Sequence, residues 1–480
     1  MRTVVGKVDM KDRIHQDSSD QGYSKVLKNR HISMIAIGGS IGTGLFLGAG
    51  GRLAQGGAAL AISYALCGFF VFIMVRALGE LSMRRPSSGA FVSYAREFLG
   101  EKSAYITGWM FFITWATAGM ADITAVALYL HYWPIFEPIP QWVLAAFALA
   151  IVFAVNILSV KFFGEFEFWF AAIKVGAILL FMGVAIWAII TGASTSESYT
   201  AGIHNWTNFG GFFPMGLFPM VALSVGVVYA FGGTEMIGVA AGEAQDTSVL
   251  ARAVNTMIVR ILFFYVGSVI LMTLVLPWTA YSDSESPFVT FFSGIGIPHA
   301  GDLMQIVVLT AALSSLNAGL YATGRTLRSL AMAGEAPKFA RYMNKYNVPS
   351  AGIALTAGLG LVGVLINYIY PSEAFTLVME FSGIGFVVTW VSVLASHMVF
   401  VLRARKGLEE RPSFRLHFAP WSNIFAIMFF VAIVGSMAFN EQGQKTLALF
   451  LIVIVILMIG WFRVRGQANP EMMDHVLDSK

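Results

Sequence analysis

Residues 37–46 read Ile37-Gly38-Gly39-Ser40-Ile41-Gly42-Thr43-Gly44-Leu45-Phe46, with four glycines in seven residues. They lie inside the first long apolar segment of the chain, at residues 32–51. Each glycine in a helix interior costs up to about 1 kcal/mol relative to alanine. Small residues do let membrane helices pack closely, but packing normally needs them on one face at a spacing of four. These glycines point all round the helix, so the stretch reads as an unwound segment at membrane depth. A matching anomaly lies in the sixth apolar segment, Tyr229-Ala230-Phe231-Gly232-Gly233-Thr234-Glu235, followed by Gly238 and Gly242-Glu243. Interrupted helices at the first and sixth positions imply two five-helix units of inverted topology, with substrate held at the midplane. Half-helix N-termini offer free N–H groups and a positive dipole to a carboxylate, while freed carbonyls face an ammonium. A break of this type suits a zwitterion.

The surrounding sequence has the composition such a site needs. Of 480 residues, 57% are hydrophobic and 12% charged, against about 25% charged in a soluble domain. About 20 apolar residues suffice to cross the hydrocarbon core as a helix. Such segments fall near residues 32–51, 56–76, 104–131, 139–159, 168–192, 215–242, 257–277, 301–330, 350–367, 373–402, 421–439 and 444–464. They lack the alternation of membrane strands, so the expected fold is an all-α integral membrane bundle of about twelve transmembrane helices. The expected organisation is an N-terminal tail 1–31, a core 32–402 with repeats at about 32–192 and 215–402, two added helices within 403–464, and a tail 465–480.

Threading these spans from a cytoplasmic N-terminus places 28 of the 31 Lys and Arg residues in the tails and alternate loops. Arg52 and Lys445 fall on the other side, and Lys174 lies within a span. The positive-inside rule then puts both termini in the cytoplasm. The net charge of +4 follows the membrane and gives no argument for nucleic acid. The single Cys67 excludes an internal disulfide, and no Cys or His cluster stands at metal-ligand spacing. The first 31 residues lack the apolar region of a signal peptide, so the first span is expected to act as an uncleaved insertion signal.

Ionisable side chains inside spans are functional candidates by default. Glu235 directly follows the second break, beside the proposed site, and could cap the next half-helix, take part in function there, or both. Lys174 lies about 9 Å inside one end at 1.5 Å per residue, deep enough to snorkel or to hold a cation's place. Asp122 sits mid-span and reads as part of a polar network near the pocket. Glu80 reads as an interfacial charge at the end of the second span. Thr114, Ser314 and Asn317 are further candidates for side-chain contact. A channel would show pore loops or charged rings, and an enzyme a base–nucleophile constellation; neither is visible.

Three further motifs accompany the two glycine-rich segments, the second of which carries Gly233-Thr234-Glu235 with Gly242-Glu243: Arg76-Ala77-Leu78-Gly79-Glu80-Leu81, Pro86-Ser87-Ser88-Gly89-Ala90-Phe91-Val92-Ser93-Tyr94-Ala95, and Glu167-Phe168-Trp169-Phe170 with Lys174. Together they resemble the bacterial amino acid permeases of the amino acid–polyamine–organocation superfamily. The resemblance implies a LeuT-type 5+5 inverted repeat with broken helices 1 and 6 and two extra C-terminal helices. It implies a symporter that takes up a small amino acid with protons across the cytoplasmic membrane, without sodium or any cofactor. Other small neutral amino acids, or sensing without transport, are the alternatives. Carried over by position, the N–H groups of Gly42, Thr43 and Gly44 would hold the carboxylate, and carbonyls near Ser40 and Gly232 the ammonium. Tyr229 and Phe231 would form an aromatic gate, Lys174 would stand in for sodium, and Glu235 would serve proton coupling.

Overall fold

A computed structural model describes residues 41–87, 89–158, 160–241 and 247–466. Among them the secondary structure is helical except for one isolated antiparallel bridge between Ser194 and Thr200. Nine described helices are long and apolar enough to cross a membrane, and two shorter apolar helices, Gln141–Ile157 and Met220–Ala230, accompany them. The chain is therefore a multi-pass membrane protein.

Burial separates a central post from a periphery. In Glu101–Leu130, 83% of the apolar window is buried within the protein, whereas in Glu441–Val464 the share is 6%. An apolar helix left that bare by its own protein needs lipid as its solvent. The Glu101–Leu130 post packs against Ala300–Met332 and Ala374–Arg405, the other two long helices that border the site. The outermost helix docks through Gly460, where an added Cβ would stand 2.4 Å from the Tyr105 hydroxyl oxygen.

The first described helices, Thr43–Phe46 and Gly48–Gly56, turn into Leu60–Arg84 at Gly57. Gly57 has φ +62° and ψ −154°, and a Cβ there would meet Pro214 Cγ at 2.3 Å. Only glycine satisfies both the corner and the contact. The second apolar segment was expected to stop near residue 76, with a loop at 77–103. The helix instead runs to Arg84, and a further helix, Ala90–Leu99, occupies that connection. Leu78 and Leu81 continue the buried stripe, and Glu80 is itself fully buried rather than interfacial. Hydropathy stops at the first charges, whereas the helix continues because those charges find partners.

The connections cluster at two ends. One, the basic end, gathers residues 80–102, 157 and 335–344 and the 406–420 loop, tied by Arg84–Glu409, Arg96–Glu335 and Asn344–Ile157. The far end joins residues 195–209 to 274–278 through Thr195, Asn205 and Trp278. Gln141 meets Asn367 and Pro371 there.

Candidate functional site

The second glycine-rich stretch interrupts its helix, and in the described part of the first a helix begins only after Gly42. Thr43–Phe46 starts after Gly42, which is extended at φ −132° and ψ −160°. The first N–H groups of a helix have no carbonyl behind them, so those of Thr43 and Gly44 point out of its start. In the sixth segment Ser224–Ala230 ends, residues 231–235 form turns with Gly233 at φ +96°, and Met236–Ala241 resumes. The two broken helices touch at Gly44, where a Cβ would lie 2.5 Å from Ala230 Cα. Any side chain at Gly44 would force them apart.

Around this contact lies a small cavity. Gly42, Thr43, Gly44, Tyr229, Ala230 and Gly232 line it from the broken helices, Trp115 and Ala118 from the post. Ser315 and Phe386 complete the wall. Phe386 lies over Gly232, whose Cβ would stand 2.4 Å from the ring. Trp115 meets Phe386 edge-on at 5.6 Å, and Tyr229 lies 6.2 Å from it between ring centroids. Three aromatic rings and the glycine-rich backbone thus border a small, partly open space.

One hydrogen-bond relay joins both breaks to the post. Thr43 Oγ1 donates to Asp122 Oδ1 at 2.7 Å. Its single proton being used, Thr43 accepts from the Tyr229 hydroxyl at 3.1 Å. Asp122 Oδ2 is buried without a hydrogen-bond partner in the structure. Glu235 is fully buried and accepts from the Gly233 N–H at 3.2 Å and from the indole N–H groups of Trp115 and Trp390, both at 3.2 Å. It thereby caps the second break and braces it against two other helices. The tryptophans holding it were not singled out from sequence, because an indole in an apolar span reads as core.

Behind the cavity, Ser314 and Ser315 face different ways. Ser315 lines the cavity, whereas Ser314 Oγ accepts from Lys174 Nζ at 3.1 Å and donates to Glu167 Oε1 at 2.9 Å. Lys174 is 1% exposed and lies 4.0 Å from Glu167, so it stays inside the bundle instead of snorkelling to an interface. Asn317, expected at the substrate, joins this second cluster, its Oδ1 accepting from Asn156 Nδ2 at 2.7 Å. Three residues after Ser314, it shares that helix face. Phe231 also departs from expectation: it is absent from the cavity wall and packs on Tyr265 and Tyr64, at 4.5 Å and 6.0 Å between centroids. Thr114 bonds its own helix at Met110 O. Ser40 lies outside the described residues. No group of three or more His, Cys, Asp or Glu among the described residues is placed to hold a metal.

An interrupted helix meeting the start of another beside a small cavity, inside a bundle of apolar helices, is the arrangement of a membrane transporter for small solutes. The chain matches the amino acid permease family over residues 31–469 and belongs to it. It is 54% identical to an L-asparagine permease of Streptomyces coelicolor over 466 residues, 95% of each chain. It is 50% identical to an L-asparagine permease of Escherichia coli over 451 residues, 94% of this chain and 90% of that one. L-asparagine permease 2 of Mycobacterium tuberculosis is 48% identical over 461 residues, 96% of this chain and 94% of the relative. It is thus a permease and not an enzyme.

Proposed function

We propose that this permease takes up L-asparagine together with protons across the bacterial cytoplasmic membrane. The observation that carries the reading is the meeting of two broken helices at Gly44 and Ala230, beside a cavity joined to the Thr43–Asp122–Tyr229 relay. The relatives' substrate supports the choice of amino acid. In this reading the chain has twelve spans, as two inverted five-helix repeats plus two helices, and the basic end faces the cytoplasm. The N–H groups of Gly42, Thr43 and Gly44 take the α-carboxylate. The carbonyls of Gly232 and Ser40 take the ammonium. Trp115, Tyr229 and Phe386 cover the substrate, and Asp122 offers its free oxygen to a substrate N–H. Lys174 occupies the place of a coupling cation, and Glu235, bonded across the second break, is the group whose protonation state would alter that break. No cofactor is required; the proton gradient supplies the driving force.

The test is uptake of labelled L-asparagine into proteoliposomes under an inward proton gradient, without sodium, against other amino acids as competitors. Concentrative uptake blocked best by unlabelled asparagine is expected. Uptake of serine, alanine or glycine in its place would overturn the substrate, and binding without counterflow would make the protein a sensor. In the same assay Glu235→Gln should lose gradient-driven accumulation and retain exchange. Equal accumulation by variant and parent would remove Glu235 from coupling.

A further inference from the structure

A second, larger cavity lies between the first and the far end, lined in part by Asp283 and Asn440. Arg52 forms part of its lining, and Thr376 and Glu380 stand on the Ala374–Arg405 side. Arg52 follows Gly44 by eight residues, about two helical turns, so both lie on one face. Its guanidinium is 3% exposed and donates from Nη2 to Gly44 O at 2.9 Å. Nη1 and Nη2 also approach Met379 Sδ at 3.8 and 3.7 Å.

The slot around this group is built by two glycines. A Cβ at Gly48 would lie 2.3 Å from Nη2, and one at Gly226 would lie 2.6 Å from Nη1. Gly44 lines the midplane cavity while Gly48 and Arg52 line the larger one, so the guanidinium is the partition between them. Its Nε is buried without a hydrogen-bond partner. Among the described residues no carboxylate stands within 4 Å of it. A buried cation without a counter-ion is costly, and a neutral amide could hold the Gly44 carbonyl without that cost. Glu380, one residue beyond Met379, is partly buried, and its Oε2 accepts from the Thr446 hydroxyl at 3.1 Å. The same cavity therefore offers a guanidinium and a carboxylate that feel each other's charge without direct contact.

We propose that this cavity is a transient binding site for a zwitterionic α-amino acid on its way to the midplane. The Arg52 fork takes the α-carboxylate and Glu380 the ammonium. Guanidinium engaged by substrate is drawn off the Gly44 carbonyl, which loosens the partition at the start of the first broken helix. The inference rests on the reading of the chain as an amino acid carrier.

The test places Thr376→Cys in the cavity and follows its labelling by a membrane-impermeant maleimide; Cys67 is buried. L-asparagine should slow labelling, and Arg52→Gln should abolish that protection. KM for uptake should rise about tenfold in Arg52→Gln and in Glu380→Gln, with the maximal rate little changed, as expected for losing one charge-assisted contact. Arg52→Lys, which keeps the charge and loses the fork, should fall between. Protection absent from the Thr376→Cys protein, or surviving Arg52→Gln, would overturn the proposal. If Arg52→Gln does not fold, unchanged KM in both Arg52→Lys and Glu380→Gln would overturn it equally. Counterflow by the parent tests the substrate separately: if a different amino acid is carried, protection by that amino acid still reads this site.

Discussion

Two buried carboxylates of this permease have opposite surroundings. Glu80, near the basic end, accepts from Arg411 Nε at 2.6 Å and Nη2 at 2.9 Å, from His397 Nε2 at 2.9 Å and from the Leu416 N–H at 2.6 Å. His397 Nδ1 accepts in turn from Asn423 Nδ2 at 3.0 Å, which fixes the ring proton on Nε2. Three chain segments meet at this carboxylate, and both of its oxygens are engaged. Asp122, beside the cavity, has one well-aligned hydroxyl, that of Thr43, on Oδ1, and otherwise only the Ser315 hydroxyl nearby. A fully satisfied buried charge holds a fold together, because every lost water contact has been replaced. A buried charge kept half satisfied beside a cavity is costly, and its retention is explained by a ligand that comes and goes.

The contrast can be broken by mutation, and the largest effect is expected at Glu80. Glu80→Ala leaves Arg411 and His397 without their partner and should cost about 3–5 kcal/mol of stability. Thermal unfolding in detergent measures it, and surviving protein should keep the parental KM. A small shift in melting with a raised KM would reverse the roles assigned to the two carboxylates. Asp122→Asn should do the opposite, with stability within about 1 kcal/mol and transport about a hundredfold lower, the scale of a lost hydrogen bond to a charged group. Transport near the parental rate would deprive Asp122 of its part. The smallest effect is expected for Tyr229→Phe, which removes one neutral hydrogen bond to Thr43, worth about 1 kcal/mol, and should raise KM about fivefold. Initial-rate uptake distinguishes that from no change.

Local structure was legible in the sequence where one residue type has one physical meaning. Glycines scattered round a membrane helix can only weaken it: the sixth segment is interrupted among its glycines, and the described part of the first starts its helix only after Gly42. Asp122, Glu235 and Lys174 stood out because charge is expensive in an apolar span. Resemblance sharpened the substrate: Ser286-Pro287-Phe288-Val289-Thr290-Phe291-Phe292 and Asp122-Ile123-Thr124-Ala125-Val126-Ala127-Leu128-Tyr129 look like the L-asparagine permeases in particular. Reading failed where one residue type has several meanings. Phe231 and Phe386 are alike as letters, yet only the second covers the cavity, from a helix more than 150 residues downstream. Asn317 was grouped with the substrate when helical spacing already put it beside Ser314, on the Lys174 face.

Solvent, helix type and the two weak points are local properties: apolar length, glycine content and the alternation of basic loops belong to each segment by itself. Partners are not local. Whether Glu80 is an interfacial charge or the centre of a buried network depends on Arg411, His397 and Leu416, more than 300 residues away. That Glu235 is held by two indoles, and that Arg52 divides two cavities in a slot made by Gly48 and Gly226, emerges only when separate helices are packed together. A buried polar atom is defined by what replaces its water, and in this bundle the replacements come from other helices.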